Sequence, residues 1–122
     1  MLKFDLLIKK TPFELLTVDG TVAAFFTQLT IAEAAEHSKA YTPVRENKEL
    51  SDMEKLGFIN KKRLCLSVKN ADNGYIFANP EELDSLPLNV VNAMVEQVDL
   101  LNPWPVIDKE TGEEETLDSK KD

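Results

Sequence analysis

The chain has 122 residues, 43% of them hydrophobic and 30% charged, with a formal net charge of −8. That length suits one domain with one modest core. The densest basic cluster, Lys61-Lys62-Arg63, is too small for a phosphate-binding surface, which excludes nucleic acid as an expected partner.

No apolar run reaches the roughly 20 residues that cross a bilayer. The N-terminal stretch is broken by Asp5, Lys9, Lys10 and Glu14, unlike a signal peptide. Cys65 is the single cysteine, so no internal disulfide can form. A cytoplasmic protein with no membrane partner is the expectation. Residues 1–107 should form one globular domain. Asp108 to Asp122 carries seven acidic and three basic residues with Leu117 as its one aliphatic side chain, and is expected to be a disordered acidic tail.

In chain order, Asp19-Gly20 lies between the apolar flanks FELLTV and TVAAFF and signals a two-residue hairpin turn, since glycine supplies positive φ cheaply. Strands are expected at about 13–18 and 21–27, with Leu2 to Ile8 as a third. Thr30 and Glu33 form a capping box that opens a helix over about 31–41, stopped ahead of Pro43. Its apolar stripe would be Ile31, Ala34, Ala35 and Ser38.

The spacing of Leu50, Met53, Leu56, Ile59, Leu64 and Leu66 predicts a second helix from a Ser51 or Asp52 cap to about Val68, with Gly57 a weak point that could divide it. A turn at Asp72 to Gly74 follows. Asn79 as cap with Pro80 at the first helical position predicts a short helix to about Leu86. Pro87 then begins an amphipathic helix with Leu88, Val91, Met94, Val95, Val98 and Leu101 on one face, ended by Asn102 and Pro103. The expected fold class is α+β: a small N-terminal β-hairpin or meander packed on three to four helices.

Candidates for chemistry are few. His37 is the one histidine; Glu33 on the preceding turn could orient it as a general acid or base, yet no second His or Cys lies near to complete a metal site or triad, so a solvated helix-surface histidine is expected. Cys65 follows Lys61, Lys62 and Arg63, which could lower its pKa, but its Leu64 and Leu66 neighbours mark a core position. Glu81 and Glu82 suit the positive end of the helix that Pro80 begins, and the run Glu113 to Glu115 suits solvation. Without a Gly-rich phosphate loop, GxSxG or paired-His motif, no enzyme activity, catalytic residue, cofactor or metal is expected.

The segments LLTVDGTVAAFFTQLT, LTIAEAAE and RLCLSVKNADNGYIFANPEELDSLPLNVVNAMVEQVDLLNP occur in this order. The chain thereby resembles the tail assembly chaperones of long-tailed bacteriophages and prophages. The matching positions are Leu29, Thr30 and Glu33 at the first helix, and Asn73, Gly74 and Phe77 at the turn. Leu83, Leu86, Pro87, Val91, Val95, Leu101 and Asn102 match at the end. The long acidic tail and Gly57 depart from the pattern.

The resemblance implies a non-enzymatic factor that binds the tape measure protein and recruits tail tube protein subunits, then leaves the particle; it also allows a homo-oligomer. It further implies a longer frameshifted product, for which adenine-rich codons at Lys120-Lys121 would be the slippery site. The partner-binding candidates are large apolar side chains near segment ends: Phe13, Phe25, Phe26, Tyr41 and Trp104. Phe25 and Phe26 are adjacent, so one must face away from the core of a regular strand. Two alternatives remain open: a permanent connector of the phage particle, and an acidic inhibitor that mimics nucleic acid to block a host factor.

Overall fold

The computed structural model describes residues 1–103 together with strand residues 105–107 and 114–116. Strands β1 (Lys10–Thr17) and β2 (Gly20–Thr27) form an antiparallel hairpin, and β3 (Val68–Lys69) pairs with β2 through Phe26↔Val68 and Phe25↔Lys69. The helices are α1 (Ile31–Glu46), α2 (Asp52–Ser67) and α3 (Leu88–Leu101), with a single 3₁₀ turn at Pro80–Leu83. This is an α+β fold, as the element pattern predicts. A second small ribbon pairs β4 (Pro105–Ile107) with β5 (Glu114–Thr116). The predicted disordered tail otherwise lies outside the described residues.

The hairpin turn falls one residue earlier than the Asp-Gly signal suggests. Val18 and Asp19 form the loop, and Gly20, at φ 125°, closes it as the first residue of β2. The Thr17 hydroxyl donates to the Gly20 carbonyl at 2.8 Å and accepts from the Asp19 amide at 3.2 Å, so a side chain satisfies the loop while glycine's positive φ serves the strand entry. Leu2 to Ile8 is not a strand. The third strand comes instead from the end of RLCLSV, the segment that also begins as helix.

Both α1 and α2 open with complete capping boxes. In α1 the Glu33 amide donates to Thr30 Oγ1 (3.1 Å) and the Thr30 amide to Glu33 Oε1 (3.0 Å). In α2 the Glu54 amide donates to Ser51 Oγ (3.1 Å) and the Ser51 amide to Glu54 Oε1 (3.2 Å). Helix α2 runs unbroken through Gly57. Helix α1 does not stop at Pro43 but continues another turn past it. Proline removes one amide and crowds the preceding turn. The far end is nevertheless fastened: the Asn47 amide donates to the Val44 carbonyl (3.2 Å), and Lys55 from α2 donates to the Arg45 carbonyl (3.0 Å).

The core is one cluster: Phe26, Leu64, Cys65, Val68, Leu83, Met94 and Val98, ringed by half-buried Phe13, Leu15, Ile76, Phe77, Leu86, Val91, Val95 and Leu101. Phe13 stacks on Phe26 across the hairpin with ring centroids 3.9 Å apart. The last turn of α2, Arg63 to Ser67, is buried on every side, whereas Met53 and Leu56 of its first turns are exposed. Leu88, predicted on the inward face of α3, is exposed as well.

At the open end of this core, Asn102 joins three elements. Its Oδ1 accepts from the Leu29 amide (2.7 Å) and its Nδ2 donates to the Thr27 carbonyl (3.1 Å), while Arg63 of α2 donates to its backbone carbonyl (3.0 Å). Arg63 also pairs with the Asp99 carboxylate of α3.

These placements give a clear contrast in stability. Leu64→Ala should cost about 3 kcal/mol, the transfer loss plus the cavity left at a fully buried site. Leu16→Ala, on an exposed position of β1, should change stability by less than about 0.5 kcal/mol. Urea unfolding followed by circular dichroism measures both.

Candidate partner-binding surfaces

Helix α1 is seated by polar groups. Of the predicted inward stripe, Ile31, 91% exposed, and Ala35 face solvent, while Ala34 and Ser38 line an open cleft, and the buried residue of the helix is Glu33 at 6%. A helix with so little apolar asymmetry takes its rotation from specific partners. Glu33 Oε1 caps its own helix, and Oε2 takes Lys69 Nζ at 2.8 Å and the Tyr75 hydroxyl at 2.7 Å. Lys69 Nζ also sits 5.5 Å from the centre of the Tyr75 ring. The capping glutamate therefore ties α1 to β3 and to the turn after it.

That turn holds Tyr75 in place. Asn70 Oδ1 accepts from the amides of Asp72 and Gly74, both at 2.9 Å, and Asn73 sits at φ 65°. A Cβ on Gly74 would meet Asn70 Nδ2 at 2.9 Å, so a larger residue there would have to shift the Asn70 side chain that holds the turn.

His37 is not the solvated surface group that its sequence setting predicts. It is half-buried between α1 and α2, where Nε2 donates to the Ile59 carbonyl at 3.1 Å. Burial holds its pKa below the ordinary histidine value, opposed by the Ile59 bond and reinforced by the charges of Arg63 and Lys62. Burial alone would raise the pKa of Glu33, but Lys69, the Thr30 amide and the Tyr75 hydroxyl outweigh it and hold the carboxyl below its ordinary range. The bond to Glu33, then burial, pushes the Tyr75 phenol up to about 12.

A cleft of about 490 Å³ lies open beside His37, between α1, α2 and the exit of α3. Leu29, Ala34, Tyr41 and Ile59 give it apolar walls, and Arg63 with Asn102 forms its floor end. A second groove, of about 320 Å³, runs between β1 and α3 and is lined by Phe13, Leu15, Val90, Ala93 and Met94, with Glu14 and Gln97 among its polar members.

The five predicted partner-binding residues fall in different places. Phe26 is a core residue, 4% exposed, on the even side of β2 that packs on α2 and α3, and it also lines the β1–α3 groove. Phe25, on the other face, is half-buried with Lys10 Nζ 5.9 Å from its ring centre. Phe13 lines the β1–α3 groove and Tyr41 the α1–α2 cleft. Trp104 lies outside the described residues. Sequence reasoning missed Leu29, Ile59 and Val90, which line these surfaces, because each belongs to a segment whose apolar residues look like ordinary core.

Cys65 is buried, and burial first, with Glu82 and Glu81 adding to it against Lys62, pushes its thiol up to about 11. A protonated thiol in that position is a packing group. Among the described residues, no three His, Cys, Asp or Glu side chains gather as a metal site, and no helix is long and apolar enough to cross a membrane. No family model, curated protein or solved structure matches this chain.

Two measurements follow from the titrating groups. Glu33 and His37 both have folded pKa values below their unfolded ones, so each contributes stability that is fully present above its ordinary pKa and is lost as pH falls through the folded value. Melting temperature should be level near neutrality, decline first below about pH 6.5 through His37 and again below about 4.5 through Glu33. His37→Asn should remove the first decline and leave the second. Cys65 should be silent to a thiol reagent in the folded protein and react fully once denatured, as absorbance of the released chromophore will show.

Proposed function

We propose that the protein is a tail assembly chaperone of a long-tailed bacteriophage or prophage, acting in the host cytoplasm. It binds the tape measure protein and recruits tail tube subunits while the tail is built. The observation that carries this reading is the α1–α2 cleft, together with the order of hairpin, capped helix, turn and final amphipathic helix shared with that family. A tape measure protein is a long helix, and apolar side chains repeating on one of its faces can enter a cleft walled by Leu29, Ala34, Tyr41 and Ile59.

Specific recognition in such grooves rests on a few large anchors. Tyr41 is the natural one, half-buried with its ring at the cleft wall. The reading asks nothing covalent of the protein: it supplies contact area, holds its client for a time and is released.

The test is a binding titration with the tape measure protein encoded by the same genome. Tyr41→Ala should weaken binding by about tenfold and leave the circular dichroism spectrum unchanged. Mass spectrometry of finished particles should not find the chain; stoichiometric retention there would instead make it a permanent connector.

A further inference from the structure

The α1–α2 cleft has a neighbour in the sequence as well as in space. Its lining includes Asn102 and Pro103, the residues at which the chain leaves α3, and the next residue is Trp104, the single tryptophan. An indole buries about 150–250 Å² when packed, and here it follows directly on an apolar concavity. Consecutive Cα atoms are about 3.8 Å apart, so no linker has to be spanned to bring the two together. The β1–α3 groove, in contrast, has no lining residue past Gln97.

The approach is stiff. Asn102 is tied through its side chain to the Leu29 amide (2.7 Å) and the Thr27 carbonyl (3.1 Å), and Arg63 donates to its backbone carbonyl (3.0 Å). Pro103 has a fixed φ, and Pro105 confines the residue before it to extended backbone. A tethered group with so few free torsions loses little entropy on docking. The cleft also offers what an indole takes. Leu29, Ala34, Tyr41 and Ile59 provide apolar walls. Arg63 is bonded through its edge to Asp99 and the Asn102 carbonyl, and a guanidinium so bonded stacks on an aromatic ring through its face.

We propose that the C-terminal segment beginning at Trp104 docks back on its own body, with the indole filling the α1–α2 cleft. The docked form is closed to clients, and a client enters by displacing the ring. The competition rests on the function proposed above for the cleft, whereas the docking rests on the cleft and the exit of α3 alone.

Because Trp104 is the one tryptophan, fluorescence of the full chain excited at the indole band reports on it alone. Emission of the unaltered chain should lie to the blue of the urea-unfolded chain and resist quenching by acrylamide. Ala34→Phe, which fills the cleft, and Ala34→Glu, which charges it, should each shift the emission to the red and restore quenching. Ala35→Phe, on the solvent side of the same helix, should do neither. Circular dichroism melts verify that the three variants fold. Emission and quenching in the folded, unaltered protein that match the unfolded chain overturn the proposal. So does a protected ring that both Ala34 variants leave unmoved, which would place Trp104 elsewhere on the body. Trp104→Ala should bind the tape measure protein more tightly than the unaltered chain does, because a site open for only a fraction of the time loses affinity in proportion. Equal or weaker binding by Trp104→Ala overturns the competition. Failure of both proteins to bind, with the fluorescence as expected, sinks the function proposed for the cleft and leaves the docking standing.

Discussion

The arrangement of this protein depends on the latch that Arg63 and Asn102 make at one end of the core. Arg63 is 3% exposed, and a guanidinium in that position must be paired, because an isolated buried charge costs far more than a surface ion pair returns. Asp99 and the Asn102 carbonyl supply its partners. Asn102 in turn holds the Thr27 carbonyl and the Leu29 amide through its side chain. The end of β2, the approach to α1, the buried turn of α2 and the exit of α3 are thus fixed relative to one another by two residues. Leu64, Val68 and Val98 supply the apolar burial, but burial is not directional. The latch decides where the chain goes when it leaves the sheet.

That decision matters most for α1. A helix packed by an apolar stripe closes against its neighbour, whereas α1 meets the rest through Glu33 at its first turn, His37 at its second and the Lys55 bond to Arg45 at its far end. Such contacts are pointlike. With the Glu36–Lys62 ion pair they fasten the helix along its length, and the cleft lined by Tyr41 and Ile59 lies beside them. The same attachment makes α1 the element whose hold on the body titrates: Glu33 must be charged for its contacts to be intact, and burial favours the neutral form of His37 although its bond to the Ile59 carbonyl favours the charged one. An element joined by few buried apolar contacts opens at lower free energy than the core. A cleft wall with that property can adjust to a side chain that enters it.

Much of the fold was legible because the relevant signals are local. Thr30 with Glu33, Ser51 with Glu54, and the proline-led starts of the 3₁₀ turn and α3 each need only a few consecutive residues to be understood, and each helix begins where those residues indicate. The misreadings were tertiary in origin. Pro43 is a stop signal only when nothing fastens the next turn, and Lys55, ten residues past Arg45 and on another helix, is what fastens it. The rotation of α1 was unreadable because its decisive partner, Lys69, lies 36 positions beyond Glu33 in the sequence and looks in isolation like a solvated lysine. His37 was misplaced for the same reason, its partner being a backbone carbonyl that no residue type announces. The aromatic pair Phe25-Phe26 gave the right dichotomy, one in and one out, but only the pairing of Phe26 with Val68 shows which. The two grooves could not be read at all, since a concavity is a property of the spacing between elements.

The remaining apolar surface has a pattern that core formation does not require. The buried cluster uses seven side chains, while large hydrophobics stay exposed along residues 1–8, at the hairpin end with Leu16, Val18 and Val22, and on α2 and α3 with Met53, Leu56, Leu88, Val90 and Leu100. Single exposed leucines are ordinary. Six such groups among residues 1–8, interrupted by Lys3 and Asp5, are a denser case, because each is left facing water at a cost that contact would relieve.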